Sequence, residues 1–295
     1  MKKAPRFSSV TEVLARLRDV DYIADTRVAT AVYLADRLGK PLLIEGPAGV
    51  GKTELAKAVS ASMEIDLIRL QCYEGLDEAR ALYEWNYRKQ LLRIQADEAR
   101  EHHWEEIEES IFDEPFLLER PLLKAIRSET PVVLLVDEID RTEFEFEAFL
   151  LELLSDFQVT IPEMGTMVAR SQPMVFLTSN ATRELSEALK RRCLYLFLDY
   201  PESEREREIV LTRVPELPEA LADQLVRLIR SIRQLELKKQ PSISESIDWA
   251  RTLVELGVET LDENVTQETL NVILKYRQDM ERVSQQLKLP PPNLN

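Results

Sequence analysis

Residues 46 to 53 read Gly-Pro-Ala-Gly-Val-Gly-Lys-Thr, so three of the seven glycines in a 295-residue chain fall within six positions. The spacing is that of a phosphate-binding loop, G-x-x-x-x-G-K-[ST]. Gly46, Gly49 and Gly51 let the backbone through Pro47, Ala48 and Val50 turn its N–H groups inward around phosphate oxygens. The helix that opens at Lys52 aims its positive end at the same anion. Lys52 is placed to reach the β and γ phosphates of ATP, and the Thr53 hydroxyl, followed by Glu54, to coordinate Mg²⁺.

Two further acids lie at the end of the run Pro-Val-Val-Leu-Leu-Val before Asp137 and Glu138. A carboxylate at a strand's carboxyl end, here Asp137, can hold the Mg²⁺ shell. Its neighbour Glu138 can polarise a water aimed at the γ phosphate. The pair points to hydrolysis driving motion rather than to phosphorylation of a small molecule. A third run, Met-Val-Phe-Leu-Thr-Ser, ends in Asn180, whose amide can position that water. A short helix then ends in Lys190-Arg191-Arg192 before Cys193. These cations complement the helix dipole, or project into a neighbouring subunit's nucleotide as an arginine finger does.

Such residues need strands and helices to hold them. Apolar runs around 42–45, 66–72, 132–138, 174–180 and 194–200 alternate with amphipathic stretches, the pattern of an α/β fold with a parallel sheet and crossover helices. From about residue 203 the pattern is helical: Leu221, Leu225, Leu228, Ile229 and Ile232 share a face. Ser242 and Glu245 have capping-box spacing, and Gly257 ends that helix. Hydrophobic residues are 44% of the chain, and the net charge of −15 disfavours nucleic acid as a partner. There is no apolar stretch of membrane-spanning length and no signal-peptide core, and two isolated cysteines, Cys72 and Cys193, read as reduced thiols. A cytoplasmic protein is expected.

The order of phosphate loop, Asp-Glu strand, Asn-tipped strand, Arg-Arg-Cys and helical tail resembles the AAA+ ATPases over about Tyr22 to Lys288. Within them the chain is similar to the MoxR family, in which a hairpin precedes the Asn strand. Here that hairpin is expected at about 157–173, turning around Pro162 to Gly165. The stretches LIRLQCYEGLDEARALYEWNYRKQLL, DEIDRTEFEFEAFLLELLSDFQVTIPEMGT, ALKRRCLYLFLDYP and SISESIDWA resemble its CoxD-like branch. The resemblance implies an αβα nucleotide-binding domain over 1–201, with an insertion at about 76–120, and an all-helical lid over 202–295. It implies Asp137 and Glu138 as the Walker B pair, Asn180 as sensor 1, Arg192 as the finger with Arg191 as alternative, and Tyr22 and Ile23 against the adenine. It also implies a hexameric ring, a partner with a von Willebrand factor A domain, and a role in maturing a metalloenzyme client such as a molybdenum hydroxylase. One departure is that Ser244 stands where many relatives place the sensor-2 arginine. Arg251, seven residues on, is the candidate substitute.

Other features point elsewhere. His102 and His103 lie near acids, but adjacent histidines on a helix diverge and read as a solvated face rather than a metal site. Tyr83, Trp85 and Tyr87 alternate as on one face of a ribbon, and Phe146, Phe149, Leu150, Leu153, Leu154 and Phe157 suit a buried helix face. Two functions fit the residues: an ATP-hydrolysing remodelling motor, and a nucleotide-gated adaptor that binds ATP and recruits a partner with little turnover.

Overall fold

A computed structural model describes residues 5–97 and 111–290 of the chain. Its strands are β1 (Leu42–Glu45), β2 (Asp66–Gln71), β3 (Tyr83–Trp85), β4 (Leu117–Glu119), β5 (Val132–Asp137), β6 (Gln158–Ile161), β7 (Gly165–Val168), β8 (Met174–Ser179) and β9 (Leu194–Phe197). Around them run helices α1 (Val10–Asp19), α2 (Thr26–Leu38), α3 (Lys52–Ser62), α4 (Glu78–Ala81), α5 (Tyr87–Asp97), α6 (Pro121–Arg127), α7 (Phe144–Asp156) and α8 (Glu187–Arg192). The C-terminal region is helical: α9 (Ser203–Arg213), α10 (Glu219–Arg233), α11 (Ile243–Glu255), α12 (Glu263–Ile273) and α13 (Arg277–Gln286).

The expected parallel sheet is present, five strands in the order β2-β5-β8-β1-β9. Strands β5 and β8 are buried at every position, because helices cover both faces of a parallel sheet. One face packs Leu43, Leu134, Val136 and Leu177 against α6 and α7. The other packs Leu42, Ile44, Leu135 and Phe176 against α1 to α3. Strand β2 forms an edge and alternates instead: Ile68 and Leu70 are buried while Arg69 and Gln71 are exposed. Register aligns the carboxyl ends, with Gln71 beside Asp137 and Glu45 beside Ser179, so the loops after β1, β5 and β8 gather at one rim. Ligands of open α/β sheets bind at such a rim.

The hairpin is β6–β7, paired antiparallel from Gln158↔Val168 to Ile161↔Gly165. Tyr83 and Trp85 sit on β3, which pairs with β4. Tyr87 does not continue that ribbon. It opens α5, because Asn86 accepts the Lys89 N–H at 3.1 Å and starts a helix there. On α7, Phe146, Leu150, Leu153 and Leu154 are buried. Phe149 is half-buried, and Phe157 leaves the helix in left-handed backbone at φ 49°. The Ser242–Glu245 capping box forms at the start of α11. Leu221, Leu225, Ile229 and Ile232 bury against Trp249 and Leu253 in a third core.

Burial pushes the free Cys72 and Cys193 thiols each up to about 12, which keeps them protonated. No helix among the described residues is long and apolar enough to cross a membrane. His102 and His103 lie outside the described residues, as does part of the 76–120 segment.

Candidate functional site

The loop between β1 and α3 closes tightly on itself. Lys52 is 6% exposed, and its Nζ donates to the Gly46 and Pro47 carbonyls, both at 2.7 Å, and to Asn180 Oδ1 at 2.8 Å. Burial lowers its pKa, while the charges of Asp140, Asp137 and Glu138 oppose that shift. Gly46 has φ 151°, and a Cβ there would lie 1.9 Å from the Leu198 carbonyl oxygen. At Gly49, φ 76°, a Cβ would meet Ser242 Oγ at 2.1 Å. Both positions therefore require glycine, one for the approach of the chain after β9 and one for the cap of α11.

Asp137 ends β5 and is 2% exposed. Its Oδ1 accepts from the Thr53 hydroxyl at 2.9 Å and the Thr178 hydroxyl at 2.5 Å. Its Oδ2 accepts from Arg69 Nη2 at 2.5 Å and Nε at 3.0 Å. Arg69 also donates to Gln71 Oε1, and the Gln71 amide donates to Glu138 Oε2 at 3.2 Å. Glu138 is in left-handed backbone, φ 59°, with its carboxylate 2.8 Å from Arg141 Nε. Strand β2 thus links the two acids through its exposed Arg69 and Gln71.

One cavity is lined by Ala48, Lys52, Thr53, Asp137, Glu138 and Asn180, with Gly49, Gly51, Glu54, Thr178 and Ser244. A second, adjoining it, is walled by Tyr22, Ile23, Val50, Leu198, Ile243 and Ile247. Burial raises the Tyr22 phenol well above its usual range. Gly49, Gly51, Glu54 and Ser244 line both cavities. The residues present fit a magnesium nucleotide: a loop with no room for a side chain at Gly46 or Gly49, a buried ammonium, and two hard oxygen donors 2.9 Å apart.

Some residues singled out by sequence stand apart. Arg192 is exposed, lines neither cavity, and donates from Nε to Ser155 Oγ at 2.5 Å. Arg191 is also exposed. Ser244 borders the cavities, but Arg251 is exposed and lines neither. Seven residues advance a helix by about 10 Å, which carries Arg251 away from the rim. The cations that the helical region does bring to the second cavity are Arg205, paired with Asp25 at 2.7 Å, and Arg213, 3.5 Å from Glu54. Neither stood out in the sequence, nor did Arg69 or Gln71. The polar alternation within the strand pattern LIRLQ was the available signal for that pair.

Comparison with known proteins places the chain in a family. The model of the ATPase family associated with various cellular activities (AAA) matches residues 42–198, and the chain belongs to that family. An uncharacterised protein of Staphylococcus haemolyticus is 26% identical over 227 residues, covering 75% of this chain and 78% of its own length. The gas vesicle ATPase GvpN of Haloferax mediterranei is 25% identical over 220 residues, covering 72% of this chain and 61% of its own. Among solved structures, a RuvB mutant of Thermotoga maritima matches with TM-score 0.47 and 15% identity, over 100% of this chain and 76% of that one.

Proposed function

We propose that the chain is an ATP-hydrolysing motor of the MoxR type, in its CoxD-like branch. The observation that carries this reading is convergence: Lys52, Thr53, Asp137, Glu138 and Asn180, spread over 128 positions of sequence, line one cavity. Bound ATP supplies the anhydride to be cleaved, and Mg²⁺ neutralises its charge. Lys52 and the loop N–H groups bind the phosphates, and Thr53 with Asp137 holds the metal. Glu138 takes the proton of the attacking water, and Asn180 orients that water. Tyr22 and Ile23 wall the base. Residues 1–201 act as the nucleotide-binding domain and 202–295 as a lid reaching it through Ser242 and Ser244.

The ring we propose is a homohexamer in which Arg192 serves the next subunit's nucleotide. The position of Arg192 outside its own cavities supports a role in trans. The partner class is a protein with a von Willebrand factor A domain. The client is a metalloenzyme undergoing metal-centre maturation, such as a molybdenum hydroxylase.

A second reading, the low-turnover adaptor, draws on the Glu138 carboxylate being engaged by Arg141 and Gln71. Phosphate release by the pure protein over a range of protein concentrations separates the two. The motor reading expects specific activity to rise with concentration as rings form. It also expects Glu138→Gln to lower that activity about 10²–10⁴-fold. Wild-type release no faster than that of Glu138→Gln would leave the adaptor.

A further inference from the structure

Two turns at the rim contain a non-glycine residue in left-handed backbone: Glu138 itself, φ 59°, and Ala181, φ 55°, next to Asn180. L-residues hold that conformation only where the surroundings impose it. One contact joining these turns is made by Asp140, in the 3₁₀ turn Ile139–Arg141 and 3% exposed. Its Oδ2 accepts from the Thr182 hydroxyl at 2.6 Å and the Thr182 N–H at 3.0 Å. Asp140 is two residues past Glu138, and Thr182 is two past Asn180. A single buried carboxylate therefore spans the two turns that present the water-facing side chains.

Nearby contacts brace the same junction. Arg183 donates through Nε and Nη2 to the Thr142 carbonyl at 2.9 and 2.6 Å. The Ala181 N–H donates to Ser179 Oγ at 2.9 Å. Burial works against the charged form of Asp140, but the Thr182 bonds, together with backbone N–H groups of Asn180 and of Asp140 itself, hold the carboxyl below its usual range. Asp140 lines neither cavity, so contact with a ligand does not explain its burial as an anion.

We infer that Asp140 is a positioning residue that fixes Glu138 and Asn180 relative to each other by clamping Thr182. The inference rests on the hydrolytic reading of the site. It places the cost of losing Asp140 in the chemical step rather than in nucleotide affinity. Displacing a reacting group by about 1 Å costs roughly 10²-fold.

The test is steady-state ATP turnover with parallel titration of a fluorescent ATP analogue, for Asp140→Ala, Asp140→Asn, Thr182→Val and the double variant Asp140→Ala/Thr182→Val. Asp140→Ala should lower kcat about 10- to 100-fold with analogue affinity within about threefold. Asp140→Asn keeps an oxygen able to accept both Thr182 donors and should recover most of that loss. Thr182→Val removes the hydroxyl alone and should lower kcat severalfold. In the Asp140→Ala background it should add nothing, because the contact is already gone. Asp140→Ala with kcat within about twofold of wild type would overturn the inference. So would affinity and kcat falling together, or the two substitutions multiplying. If Asp140→Ala does not fold, Thr182→Val decides: unchanged kcat, or a matching loss of affinity, counts against the clamp. Failure of the underlying reading would look different, since wild-type protein would then turn ATP over no faster than Glu138→Gln, whether or not it bound the analogue.

Discussion

Lys52 is a buried cation whose partners are neutral oxygens. The carbonyls of Gly46 and Pro47 and the amide oxygen of Asn180 occupy its three donors. A phosphate oxygen carries a negative charge that these neutral oxygens lack, so its bond to the ammonium gains an ion-pair attraction theirs do not have. Removing the ammonium forfeits roughly 1.5–3 kcal/mol of such bonding. Lys52→Ala should therefore weaken binding of a fluorescent ATP analogue about 10- to 100-fold. The protonated form does the binding, and burial lowers the Lys52 pKa. Wild-type affinity should thus decline with rising pH earlier than an exposed lysine would predict. Equal affinity of Lys52→Ala and wild type would remove the phosphate-loop assignment. The glycine-rich turn between β1 and α3 was readable from sequence because its residues are contiguous. Arg69, Asp140 and Arg205 were not, since they meet their partners 68, 42 and 180 positions away.

At the scale of elements, the sheet was legible because its inner strands β1, β5 and β8 are short apolar runs covered on both faces. What sequence could not supply is how the helices of the C-terminal region are held to one another. Glu206 on α9 is fully buried and accepts a two-pronged pair from Arg233 at the end of α10, at 2.6 and 2.7 Å. The Ser246 hydroxyl on α11 donates to Glu206 Oε1 at 2.8 Å, and Arg233 Nε donates to the Pro241 carbonyl at 2.7 Å. The network fixes the segment that lays Ser242 against Gly49 and Ser244 at the cavity. In sequence, Glu206 sits among alternating acids and arginines, and nothing in that pattern marks it as buried. Arg233→Ala leaves Glu206 buried and uncompensated, which costs about 3–5 kcal/mol. The urea midpoint of the transition reporting on the helical region should fall accordingly. A midpoint unchanged from wild type would mean the pair contributes nothing there.

For the whole molecule, the sequence resemblance anticipated a ring, and several surface features suit a further subunit. Edge strand β9 leaves Tyr195 and Phe197 exposed, and Arg192 precedes that strand on an open surface. Within one chain Arg192 is a guanidinium on Ser155, and the finger role proposed for it calls for a neighbouring subunit. The central claim is that Glu138 of one subunit and Arg192 of the next complete a hydrolytic site. The measurement that tests it most directly is ATP turnover by mixed rings of Glu138→Gln and Arg192→Ala. Each variant alone should bind ATP, Arg192→Ala almost normally, and turn it over poorly, since an arginine finger contributes about 10³–10⁵-fold in rate. In a mixed ring, an Arg192→Ala subunit keeps its Glu138 and receives the finger of a Glu138→Gln neighbour, so a fraction of wild-type activity should return. If the two variants co-assemble and mixing restores nothing, the shared site is contradicted.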